Sequence, residues 1–213
     1  MRTRKFFLAI IMIAFLAGTA LAGDFFTIGI NNSFNLSNVK MYETIEGRID
    51  YPLPETSFKT GFAVGAYCNI PVSEYISIQP EVFYTNQGFV VSIDSMNFKS
   101  TTSMNYIEMP LLTVFKIVDH FSVFLGPSVS FYLNGKVHEG KTEESKLEWF
   151  AWDDISNKDT RAVNLGFVGG CELSIDRYSF GVRYNLGLNN EMSSSDVTVQ
   201  HRGIQVVLGI DLY

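Results

Sequence analysis

The chain has 213 residues, 46% of them hydrophobic and 14% aromatic, with 17 glycines and a formal net charge of −6. That acidic balance excludes a nucleic-acid partner, which calls for a basic surface. The length fits one domain, and the aromatic and glycine content suits an all-β chain whose rings sit at two membrane interfaces.

Arg2, Arg4 and Lys5 precede the apolar run Phe6 to Ala17, and Ala20-Leu21-Ala22 has the small-x-small form of a cleavage site. Residues 1–22 therefore read as a bacterial secretory signal peptide, cut before Gly23. Asp24 stands where a lipoprotein signal would need its cysteine, and the apolar run is short for a transmembrane helix. Residues 23–213 form the mature domain, with 13 basic against 22 acidic residues and a net charge of −9, because all three basic residues lost precede the cut. No span of about 20 apolar residues follows. Periplasm, cell surface and an outer-membrane barrel remain as destinations.

Eight segments then alternate with a period of two, the signature of a strand. They are Phe25 to Leu36, Phe58 to Ile70, Tyr75 to Gln87, Ser103 to Ile117, Phe121 to Gly135, Arg161 to Ser174, Tyr178 to Asn189 and Thr198 to Tyr213. The hairpin Gly61 to Gln87 is the clearest: Phe62, Val64, Ala66, Cys68 and Ile70 share one face, and after the Pro71 to Glu74 turn Ile76, Ile78, Pro80, Val82 and Tyr84 continue it. Gln79, Glu81 and Thr85 lie on the other face. Such a pattern fits a soluble sandwich or a membrane barrel. The connections decide, because short turns (71–74, 118–120, 175–177) alternate with longer loops (37–57, 88–102, 136–160, 190–197). An up-and-down, eight-stranded antiparallel transmembrane barrel requires that alternation, with the termini and short turns in the periplasm. The segments are also long enough to cross a bilayer on a tilt.

The segment Gly29 to Ser37 (GINNSFNLS), the hairpin GFAVGAYCNIPVSEYISIQPEVFYTNQG and Met104 to Leu112 (MNYIEMPLL) resemble the outer-membrane β-barrel domain of the "porin family" found in Bacteroidetes-type bacteria. Phe124 to Ser128, Leu165 to Gly170 and Val182 to Gly187 fit the same resemblance, which covers almost all of the mature chain. At the end it departs: the family often closes on aromatic, any residue, aromatic, whereas Tyr213 follows Asp211 and Leu212. The resemblance implies a bacterial outer-membrane location with lipid as the surrounding partner, and a fold by itself fixes no activity.

The inward face collects Glu81, Glu108, Lys116, Glu172 and Arg183, with Gln79, Gln205, Asp211, Asn31, Asn164 and Asn185. An eight-stranded barrel is just wide enough for its own side chains to fill it. Arg183 is therefore expected to pair with Glu81 or Glu108 in a polar plug, and a narrow ion path is the alternative. Glu81 and Glu108 on adjacent strands could suggest acid/base chemistry, and His201 near Ser193 to Ser195 and Asp196 could suggest a hydrolase. No nucleophile motif or reachable pocket supports either, so the chain reads as non-enzymatic, with no cofactor and no metal. Cys68 and Cys171 fall on apolar faces of strands that are not neighbours; a disulfide is open to an exported chain, while two lipid-facing thiols across a barrel would stand too far apart to form one. The segment 136–160 is charged except around Trp149, Phe150 and Trp152, which offer either a contact for an extracellular or envelope protein or a cap on the lumen. A structural or loop-mediated role, a narrow passive channel, and a part in a secretion or envelope-assembly apparatus are the three functions this sequence admits.

Overall fold

A computed structural model describes residues 26–45, 48–52, 56–93, 98–143, 146–154, 162–190 and 197–212; for 42–45, 48–52, 93, 98, 139–143, 146–154 and 197–198 it describes the backbone alone. The expected signal peptide and the Ser193 to Asp196 segment lie outside the described residues. Ten strands form: β1 (Thr27–Ile45), β2 (Arg48–Pro52), β3 (Thr56–Pro71), β4 (Ile76–Ile93), β5 (Phe98–Val118), β6 (Phe121–Glu143), β7 (Lys146–Asp154), β8 (Val163–Ile175), β9 (Tyr178–Gly187) and β10 (Val197–Asp211). Eight of them follow one another in the order β1, β3, β4, β5, β6, β8, β9, β10, and β10 returns to pair with β1. Every pairing is antiparallel. The expected closed eight-stranded barrel is what forms.

The three short turns fall where the sequence puts them, at one end of the barrel. Two of them, between β5 and β6 and between β8 and β9, have two residues each. In the β8–β9 turn Asp176 adopts a left-handed φ of 53°, a conformation common in two-residue hairpins and one that aspartate tolerates.

The loop end differs from expectation. Segments 37–57 and 136–160 are not simple loops: β1 and β6 run on, and β2 and β7 pair back against them. The alternation does not stop beyond Leu36; it inverts. Asn38 and Lys40 on β1, and Gln200 and Arg202 on β10, now take the outward positions, while Val39, Met41 and Val199 point inward. Past the hydrocarbon the outside of the barrel meets water, so polar residues belong there and apolar ones can fill the interior. A pattern that changes face reads as an ending when only apolar-outward alternation is sought.

Below that rim the outer surface is apolar except at Asn32 of β1 and Thr113 of β5. Phe34, Phe62, Leu165 and Leu208 are each more than half exposed. An apolar surface of this extent is covered by lipid rather than water. Along β9 and the residue that follows it the outward stripe runs from Tyr178 to Leu188, which at about 3.3 Å per residue and a tilt of about 40° spans roughly 25 Å, the height of a transmembrane barrel's apolar band. Polar side chains draw the upper limit: Arg202 Nε donates to Asn38 Oδ1 at 2.9 Å, and Asn86, Asn105 and Asn134 form an outward amide ladder at 2.7 Å per step across β4, β5 and β6. Cys68 and Cys171 are free thiols on opposite walls.

Val182 sits in the middle of the β9 stripe. Val182→Arg is expected to destabilise the barrel by about 2–4 kcal/mol in equilibrium unfolding from lipid vesicles. Gln200→Arg, above the rim, leaves the midpoint unchanged.

Candidate functional site

The inward positions fill the lumen in tiers. At the turn end lies a polar mouth of about 260 Å³, bordered by Tyr67, Lys116, Glu172, Ser179 and Asp211. The Tyr67 hydroxyl donates to Asp211 Oδ1 across the β1 strand that separates them. Ser174 Oγ donates to Glu172 Oε1 at 3.4 Å. Lys116, expected in the polar network, stays at this mouth instead. It is about half exposed and pairs with Asp119 at 3.1 Å. It stands two residues from the end of β5, where the lumen opens to solvent.

Above the mouth sits the charged centre. Arg183 Nη1 and Nη2 donate to Glu81 Oε2 and Oε1 at 2.5 and 3.0 Å, a bidentate pair with both side chains at most 2% exposed. The guanidinium lies 5.3 Å from the Phe83 ring centre and 5.2 Å from that of Phe124. A cation over aromatic rings gains cation–π attraction where water is excluded. Asn69 Nδ2 donates to Gln79 Oε1 at 2.8 Å, and Gln79 Nε2 to Glu81 Oε1 at 2.8 Å, so an amide relay from the mouth orients the carboxylate. Of the two partners open to Arg183 in the sequence, Glu81 takes the contact. Glu108 is buried one strand away and accepts from Thr85 Oγ1 at 3.4 Å.

The rings around Arg183 are what sequence reasoning missed, because they occupy inward positions assigned to polar or small residues. Their trace is in the glycines. Register puts Gly65 opposite Phe83, and Gly170 opposite both Phe124 and Arg183. A Cβ on Gly65 would fall 2.6 Å from Phe83 Cδ1, and one on Gly170 would fall 2.7 Å from Phe124 Cζ. Each missing side chain is the room into which a ring lies. Leu112 and Val168 pack on Phe124.

Toward the loop end, a polar cavity of about 30 Å³ is bordered by Glu108, Asn164, Asn185 and His201. His201 therefore faces the lumen and is buried, away from the surface role its sequence neighbourhood suggests. The final tier is apolar. Val39, Phe89, Met104, Tyr106, Tyr132 and Val199, from five strands, meet across the outer end of the lumen. Tyr106 and Tyr132 contact edge to face with centroids 5.7 Å apart, and the Tyr106 hydroxyl donates to Met104 Sδ at 3.3 Å. Trp149, Phe150 and Trp152 have their backbone in β7, and their side chains lie outside the described part of the structure.

Removing one partner of a buried pair leaves the other charge uncompensated. Arg183→Ala is expected to cost about 3–5 kcal/mol in equilibrium unfolding. The double variant Arg183→Met with Glu81→Leu should recover most of that loss.

The family described as outer membrane protein beta-barrel domain matches residues 21–193. No curated protein sequence matches the chain. Among solved structures, Neisserial surface protein A is similar at 10% identity, over 87% of this chain and 97% of that one, with a TM-score of 0.48. Ail, the attachment invasion locus protein of Yersinia pestis, solved with the heparin analogue sucrose octasulfate, is similar at 14% identity, over 87% and 99%, with a TM-score of 0.44. OprG of Pseudomonas aeruginosa is similar at 9% identity, over 89% and 96%, with a TM-score of 0.44.

Proposed function

The chain belongs to the outer membrane protein β-barrel domain family, and from its place in the bacterial outer membrane we infer a non-enzymatic role that is structural or is carried by its extracellular hairpins. The observation that carries this reading is the apolar tier at the extracellular end. Six side chains from five strands close the lumen above the Arg183–Glu81 pair, so ions meet a dry barrier and then a bound charge. Beyond the seal, β1–β2 and β6–β7 extend past the membrane as paired ribbons, which hold a contact surface more firmly than an irregular loop does. The aromatic residues Trp149, Phe150 and Trp152 on β7 are the candidates for that contact, with an extracellular or envelope protein as the partner class.

A narrow passive channel is the second reading. The polar mouth of about 260 Å³ at the periplasmic end favours it, since it would form the entrance of such a path.

Planar-bilayer recording of the refolded mature chain separates the two. The inferred role gives a silent bilayer, with conductance steps appearing only in Tyr106→Ala/Tyr132→Ala. Reproducible steps from the unaltered chain that change in Arg183→Ala establish the channel. For the hairpin, replacing Trp149, Phe150 and Trp152 together by Ala is expected to reduce adhesion of cells displaying the chain to immobilised protein and glycan surfaces by about tenfold, the effect of 1.4 kcal/mol. Unchanged adhesion with an intact barrel moves the contact elsewhere.

A further inference from the structure

Between its two polar rims the barrel presents apolar side chains to lipid, with one carboxamide among them in the described strands. The outward residues of β1 are, in order, Ile28, Ile30, Asn32, Phe34 and Leu36, and Asn32 is exposed like its neighbours. Register sets it between Leu208 of β10 and Val64 of β3, which are themselves exposed. Its amide makes no side-chain hydrogen bond to a described residue. Depth makes this unusual. Asn32 stands four residues beyond Ile28, whose carbonyl accepts from Leu212 N at the periplasmic end, and six before Asn38 at the extracellular rim. Along a tilted strand those separations are about 10 and about 15 Å. The amide is thus near the middle of the hydrocarbon, too far from either interface for so short a side chain to reach it. An unpaired amide there is costly, and polar groups at this depth mark contacts.

We propose that the face formed by β10, β1 and β3 is an interface between two copies of this chain within the membrane, joined by reciprocal hydrogen bonds between their Asn32 amides. Symmetry selects a second copy as the occupant. Two chains in one membrane have the same orientation, so the two-fold axis relating them runs along the membrane normal and brings each residue opposite its counterpart at equal depth. A carboxamide both donates and accepts, so two Asn32 side chains satisfy each other where an acyl chain satisfies neither. A different protein would have to bring a matching group to the same level. The surroundings suit close approach: Ala66 and Cys68 lie beside Ile30 and Ile28 and leave a recess among the projecting Phe34, Phe62 and Leu208.

The chain's own thiols provide the test. Cys68 is outward on β3 within this face, and Cys171 is outward on β8, on the opposite wall. A bis-maleimide added to the folded chain in lipid vesicles should yield cross-linked dimers from the unaltered chain and from Cys171→Ala, and none from Cys68→Ala. Asn32→Leu should raise the dimer dissociation constant about 3- to 30-fold, the range set by hydrogen bonds between membrane helices. Asn32→Gln, which keeps the amide, should remain dimeric. Heat-modifiable gel mobility confirms that each variant is folded. A chain that is monomeric at every protein-to-lipid ratio overturns the proposal. So does cross-linking through Cys171 as readily as through Cys68, or one dissociation constant shared by the unaltered chain and Asn32→Leu.

Discussion

Inside a bilayer a strand has nothing to hydrogen-bond with except another strand. Each N–H and C=O left without a partner in hydrocarbon costs several kcal/mol, so the sheet closes on itself and β10 pairs with β1 along fifteen residue positions. Closure at eight strands then fixes the interior width, and that width is filled by side chains rather than water. The remaining features of the molecule follow from how the interior is occupied.

The occupation is graded. Near the periplasm the lumen is hydroxyl-rich and acidic, and it stays open to solvent. At its centre Arg183 is held by the Glu81 carboxylate and lies over two rings, Phe83 and Phe124. At the outer end the contents turn apolar just where the outer surface turns polar. That exchange of faces is one event seen from two sides, because the membrane surface is the level at which lipid stops covering the barrel. The glycines belong to the same account: Gly65 and Gly170 clear the wall where the rings must lie, so the charged centre depends on residues that make no contact of their own.

The sequence made the membrane-facing half of this legible. Apolar residues at every second position, repeated eight times with turns of alternating length, are imposed by lipid on one face, and the β9 stripe from Tyr178 to Leu188 needs no tertiary knowledge to read. Arg183 was legible too, as the lone inward cation at mid-strand with acids on other strands. Its choice of Glu81 over Glu108 was not, since that depends on stagger between strands far apart in sequence. β2 and β7 escaped because their side chains answer to water, where no face is forced to be apolar. Phe83 and Phe124 escaped because an inward ring looks like a break in the pattern until the opposing glycine is known. Lys116 has the inward parity the sequence gives it, and its height, two residues from the end of β5, is what parity alone does not fix.

The central claim is that the lumen is open toward the periplasm and shut toward the outside. It is tested most directly by the sidedness of thiol labelling, with Cys68 and Cys171 replaced by alanine and the barrel reconstituted in vesicles of known orientation. Ser179→Cys reports the mouth and Ser128→Cys the buried tier beneath the seal. A charged, membrane-impermeant maleimide is predicted to modify Ser179→Cys from the periplasmic side alone and Ser128→Cys from neither side. Modification of either position from the extracellular side would contradict the account, because it would require a water path through Val39, Phe89, Met104, Tyr106, Tyr132 and Val199.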